Sequence, residues 1–169
     1  LGAVSKMVGL KIEDVKGFTS KLFVKEDFDA FLVKEVQIVT FNSFSIDGHI
    51  RKGYFSEEEM EEIGNEGLAP WKLLRPICFG LIKGKRLPGS FHIVLQLPKS
   101  QVERFAAGNG VEAGQIQGMY LNIRYEDGTL YCVTGLSLGF FTLDKTLEDV
   151  WDRSAEEFLR KRGIACLRE

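Results

Sequence analysis

From Val36 onward the chain alternates between apolar and polar positions. Val36, Ile38 and Thr40 fall on one side of an extended strand, Gln37, Val39 and Phe41 on the other, and Phe44 and Ile46 continue the first set. The pattern predicts one long strand that ends at Asp47-Gly48. An Asp-Gly pair between alternating segments suits a type I′ hairpin turn, which needs positive φ at both central residues. Phe91, Ile93, Leu95 and Leu97 alternate in the same way with His92, Val94 and Gln96. "MYLNIRY" and "TLYCVTG" flank Glu126-Asp127-Gly128, a second hairpin signal, and "GFFTL" predicts a further short strand.

Apolar spacings of three and four mark the helices. Val15, Phe18 and Leu22 share a face behind a capping Asp14, although Gly17 weakens that helix; Phe28, Phe31 and Leu32 allow one more turn. Ser56 and Glu59 form a capping box with Phe55 stapling onto Met60, and Gly64 or Gly67 stops this helix. Ser100 and Glu103 form a second box, for a helix that ends at Gly108. Residues 70–83 are ambiguous. Trp71, Leu74, Cys78 and Leu81 share a helical face, yet Pro76 should kink or break a helix, and "ICFGLI" alone fits a buried strand. Helix is the preferred reading, closed by Gly84 with Pro88 beyond it. The clearest helix is the last. Its stripe is Leu147, Val150, Trp151, Ala155, Phe158 and Leu159, with a cap near Asp144 or Thr146 and a stop at Gly163. Together these elements predict an α+β fold: a largely antiparallel sheet of two hairpins plus a further strand, with helices packed on one face.

Composition narrows the class. The chain has 169 residues, 44% apolar and 27% charged, which suits one soluble domain with a real core. The expected domain is 7–169, with 1–6 a loose N-terminal extension and Met7 a candidate start. A net charge of −2 gives no global reason to bind nucleic acid or an anionic membrane. The longest apolar run, Ile77–Ile82, is far short of the roughly 20 residues that span a bilayer. Cys78, Cys132 and Cys166 are odd in number and form no CxxC, which fits reduced thiols in a cytoplasmic protein. No cofactor and no metal are expected. The two histidines lie 43 residues apart and match no zinc-hydrolase spacing.

Three stretches bear on chemistry. Asp47 and His49 resemble a general-base pair, but nothing identifies a nucleophile, and the preferred reading is that Gly48 supplies a turn and His49 starts the return strand. His92 sits opposite an apolar strand face, where a sheet-surface role competes with a ligand role. "TGLSLG" (134–139) is neither a P-loop nor GxGxxG, and its glycines suit a bulge or bend. The anomaly is charge. Between Glu66 and Glu103 there is no acid, while Lys72, Arg75, Lys83, Lys85, Arg86 and Lys99 give that stretch +6; residues 57–66 hold six glutamates and no base. Either the acidic helix lies beside the basic stretch, or both are solvated faces, or Lys83, Gly84, Lys85 and Arg86 form an anion site. In the last case Gly84 would let backbone N–H groups approach a phosphate.

"FNSFSIDGHIRKGYFSEEE", "LRPICFGLIKGKRLP" and "TGLSLGFFTLDKTLEDVWD" together resemble a family of uncharacterised small clostridial proteins, a domain of unknown function, from about Met7 to Ala165. The resemblance implies an intracellular, single-domain bacterial protein and carries no activity, cofactor or catalytic residue. The expected function is therefore a non-catalytic binding or protein-interaction module whose partner is another protein or a phosphate-bearing ligand. The alternatives are a small enzyme with a pocket near His49 or His92, or a weak phosphate or nucleic-acid binder through 83–86. Neither membrane association nor sequence-specific nucleic-acid binding is expected.

Overall fold

Alternation and helical periodicity resolve into a twelve-part order in a computed structural model that describes residues 4–169. Strand β1 (Val4–Ile12) is followed by helix α1 (Val15–Phe23), then β2 (Leu32–Val39), β3 (Ser43–Asp47), α2 (Glu57–Glu62) and α3 (Trp71–Ile82). Strand β4 (Ser90–Gln96), α4 (Lys99–Gly108), β5 (Ile116–Glu126), β6 (Thr129–Leu138), α5 (Thr146–Lys161) and β7 (Cys166–Arg168) complete it. The strands form one seven-stranded antiparallel sheet in the order β3-β2-β4-β5-β6-β1-β7. The fold is α+β.

One sheet face is apolar. Val36 and Ile38 pair across to Ile93 and Phe91, and the row continues through Ile123 and Cys132. These residues bury into a single core with Phe18, Leu22 and Phe23 of α1, Trp71 and Cys78 of α3, Ala106 of α4, and Trp151, Ala155 and Leu159 of α5. The alternate positions on β2, β4 and β5 include Glu35, Gln37, His92, Asn122 and Arg124, which can meet water. Antiparallel sheets tolerate one wet face because their hairpins need no covering crossover.

The long strand predicted from Val36 to Ile46 is instead a hairpin, β2–β3, turning at residues 40–42, where the Thr40 amide donates to Asn42 O at 2.9 Å. The alternation survives because a three-residue loop preserves parity: Ile38 pairs with Phe44 and Val36 with Ile46, both on the same face. Asp47-Gly48 is therefore not the hairpin turn, and Gly48 is not among the residues with positive φ. The Asp127-Gly128 turn is as expected, with φ of 52° and 77°.

The ambiguous stretch forms a helix over Trp71–Ile82. Trp71 and Cys78 are buried on the predicted face, and Pro76, on the exposed side, removes only the bond to Lys72 O. Four further expectations change. Phe28 and Phe31 lie in turns, and Leu32 begins β2. "GFFTL" is irregular rather than a strand. Ser100 does not cap α4, which starts at Lys99 behind Pro98. Residues Val4–Lys6, placed in the loose extension, belong to β1 and pair with β6; Leu1–Ala3 lie outside the described residues.

Candidate functional site

The basic loop Lys83-Gly84-Lys85-Arg86 leaves α3 with the Lys83 amide donating to Phe79 O at 2.9 Å. Gly84 has φ +140°, a conformation that side chains disfavour, and the loop residues are all exposed. Among the described residues none of the three cations is in an ion pair. The loop borders a cleft of about 610 Å³ between α1 and α3. Ile82 on one side of the loop and Leu87 and Pro88 on the other line this cleft, together with Phe23, Phe91 and Tyr125. Leu87 is 83% exposed, so an apolar side chain stands in water next to three positive charges.

Glu66 does not neutralise this loop. Lys83–Arg86 precede Ser90, at the start of β4, whereas Glu66 bonds to the Lys99 amide beyond the far end of β4. A seven-residue strand spans about 20 Å, two Debye lengths at physiological salt. The basic stretch is therefore divided: the Lys99 backbone amide donates to Glu66, and 83–86 stands at the opposite end of β4.

The histidines form no catalytic pair in a cavity. His49 Nδ1 lies 2.7 Å from Asp47 Oδ1 with both side chains more than half exposed, and the Asp47 carboxylate also accepts the His49 amide at 2.9 Å. That backbone bond first, and the imidazole second, lower the Asp47 pKa. His92 is half-buried on the polar sheet face, with Nε2 3.4 Å from Asn122 Oδ1. Burial, then the Arg124 charge, lower its pKa, which favours neutral imidazole at neutral pH. Neither lines the cleft above or the cavity below.

A second cavity, of about 380 Å³, lies between α4 and α5. Phe31, Leu97, Leu121, Trp151 and Ala155 make a buried apolar floor. Asp27, Gln101, Arg104, Ser154 and Arg162 supply its polar lining. The Arg162 guanidinium lies 3.6 Å over the Phe158 ring and donates to Asp27 O and Phe158 O, both at 3.3 Å. Sequence reasoning missed this cavity, because its charged residues are up to 135 positions apart and share no motif.

A family profile matches residues 21–166. The chain belongs to the family of unknown function DUF5721. No curated protein and no solved structure matches it. The DUF5721 match takes in the 83–86 loop and every residue lining the α4–α5 cavity, while Val15, Lys16, Thr19 and Ser20 of the first cleft precede it.

In this DUF5721 chain the thiols are poor nucleophiles. Burial pushes Cys78 up to about 12 and raises Cys132 further, and burial also raises Cys166. Each is therefore a protonated thiol near pH 7. All three cysteines are free, and the described residues hold no cluster of metal-binding side chains. Among the described residues no helix is long and apolar enough to cross a membrane.

Proposed function

We propose that this chain is a non-catalytic binding module whose ligand is a single-chain anionic amphiphile. The apolar body of the ligand lies in the α1–α3 cleft, and its phosphate or carboxylate meets Lys83, Lys85 and Arg86. The observation that carries this reading is continuity: Ile82 and Leu87, which line the cleft, flank the loop that bears the three cations. The cleft volume of about 610 Å³ falls within the ordinary range for small-molecule sites. Each buried methylene contributes about 0.8 kcal/mol, so six contribute roughly 5 kcal/mol before the cost of immobilising the ligand. The exposed head-group contacts add less, and salt screens them. Three free thiols support a reducing compartment, and the bacterial cytoplasm is the one we propose. Thiols that stay protonated, and histidines that line neither cavity, favour binding over catalysis.

Calorimetric titration tests the reading, with decyl phosphate and decanoate below their micellar concentrations and with decanol and decyltrimethylammonium as controls. Both anions should bind about tenfold or more tightly than decanol at low salt, equivalent to about 1.4 kcal/mol. The triple variant Lys83→Gln, Lys85→Gln, Arg86→Gln should remove that advantage, and Thr19→Trp should block all chains. Binding of the cationic amphiphile as tight as that of decyl phosphate, or no binding of any probe at millimolar concentration, would refute it.

A further inference from the structure

The α4–α5 cavity carries charges of both signs above an apolar floor, and that combination narrows the ligand. Asp27, on the turn between α1 and β2, is held beside Arg162 by the bond from Arg162 Nε to the Asp27 carbonyl, yet the two side chains are not ion-paired. Arg162 spends its described bonds on carbonyl oxygens, so no carboxylate neutralises it. Arg104 lines the cavity from α4, exposed and likewise without an ion pair among the described residues. Two guanidinium groups and one carboxylate thus share a single cavity of about 380 Å³, near the lower end of small-molecule sites.

A ligand with a carboxylate alone would suit the arginines but face repulsion from Asp27. A ligand with an amine alone would face the reverse. A free α-amino acid meets both demands, because its carboxylate and ammonium sit on one carbon. We infer that this cavity binds a free α-amino acid with a large apolar side chain. The carboxylate is held by Arg104 and Arg162, the ammonium by Asp27, and the side chain rests on Phe31, Leu121 and Trp151. The stack on Phe158 and the two carbonyl bonds hold the Arg162 plane in place before a ligand arrives, which lowers the ordering cost of a two-point carboxylate contact. The Trp151 indole N–H is already bonded to Tyr120 O and Gly135 O at 3.2 and 3.1 Å, so its ring offers the cavity only apolar surface. A peptide lacks the paired charges on one carbon, which is why a free amino acid is assigned.

The test titrates the full chain with L-phenylalanine, 3-phenylpropionate and 2-phenylethylamine. Calorimetry and tryptophan emission excited where phenylalanine does not absorb are the readouts. L-Phenylalanine should bind and shift the emission, and each analogue lacking one charge should bind about tenfold or more weakly, because half-buried Asp27 or Arg162 is left without its partner. Arg104→Gln, at an exposed site that folding does not need, should weaken L-phenylalanine and 3-phenylpropionate together while sparing the amine. Asp27→Asn keeps the backbone bond to Arg162 and should erase the preference for L-phenylalanine over 3-phenylpropionate. The inference fails if L-phenylalanine shows no binding at millimolar concentration. It also fails if 3-phenylpropionate binds equally well, or if Asp27→Asn leaves the preference intact.

Discussion

At Gly48 the backbone of the chain leaving β3 crosses β2. Its amide donates to Lys34 O at 3.0 Å, its carbonyl accepts from the Ala69 amide, and a Cβ added there would collide with the Val33 carbonyl. The glycine is needed for this close approach, beside the register shift between Val33 and Glu35, and not for a left-handed turn. The two reasons make different predictions. Where φ is positive, asparagine substitutes tolerably, whereas any side chain collides with a backbone carbonyl. Gly48→Ala and Gly48→Asn should therefore both destabilise, each by about 1–3 kcal/mol or more as for other overpacked sites. Urea denaturation reads this, and an asparagine variant as stable as wild type would contradict the close approach.

Among the helices, α5 shows how a periodic stripe turns into tertiary structure. Trp151, Ala155 and Leu159 are buried in the common core, and Trp151 also bonds carbonyls on both β5 and β6. Trp151→Ala should cost about 3–5 kcal/mol, a large share of a typical domain's stability of about 5–15 kcal/mol. Trp151→Phe, which keeps most of the ring but loses the N–H, should cost distinctly less; equal losses from the two in chemical denaturation would show that packing plays little part. Helix α4 teaches the opposite lesson. Ser100 with Glu103 spells a capping box, yet Pro98 starts the helix two residues earlier than that motif requires, so Ser100 sits inside the first turn. The Lys99 amide is satisfied instead by Glu66, 33 residues away, at 2.7 Å. A carboxylate at a helix N-terminus is stabilising wherever it comes from, and no local pattern announces a distant one.

Across the whole molecule the separation of charge matters more than the net value of −2. Glu66 and the cations of 83–86 stand beyond opposite ends of β4, so the basic end keeps a local field that the average conceals. Since Lys83, Lys85 and Arg86 are exposed and unpaired among the described residues, their joint replacement by glutamine should change stability by no more than about 0.5 kcal/mol per substitution. A shift in urea midpoint well beyond that would mean the loop supports the fold, and a binding defect in the triple variant would then lose its simple meaning.

The sequence alone determined the periodic elements: the alternating strands around Val36 and Phe91, the Asp127-Gly128 hairpin, the capped α1 and α2, and the stripe of α5. These are local because side-chain period, cap chemistry and positive φ depend on neighbours within a few residues. From them the α+β class followed. Only the tertiary structure decided where the first hairpin turns, since a three-residue loop leaves the alternation unbroken from Val36 to Ile46. Strand order, with β1 and β7 joining the far edge, also depended on pairings between distant segments that composition does not encode. The same holds for the two sites. The 83–86 loop was visible as a run of charge, but its cleft required α1, α3 and the β5–β6 hairpin end to meet. Asp27, Arg104 and Arg162 acquired a common cavity only when the turn after α1, α4 and the end of α5 packed over one patch of the sheet.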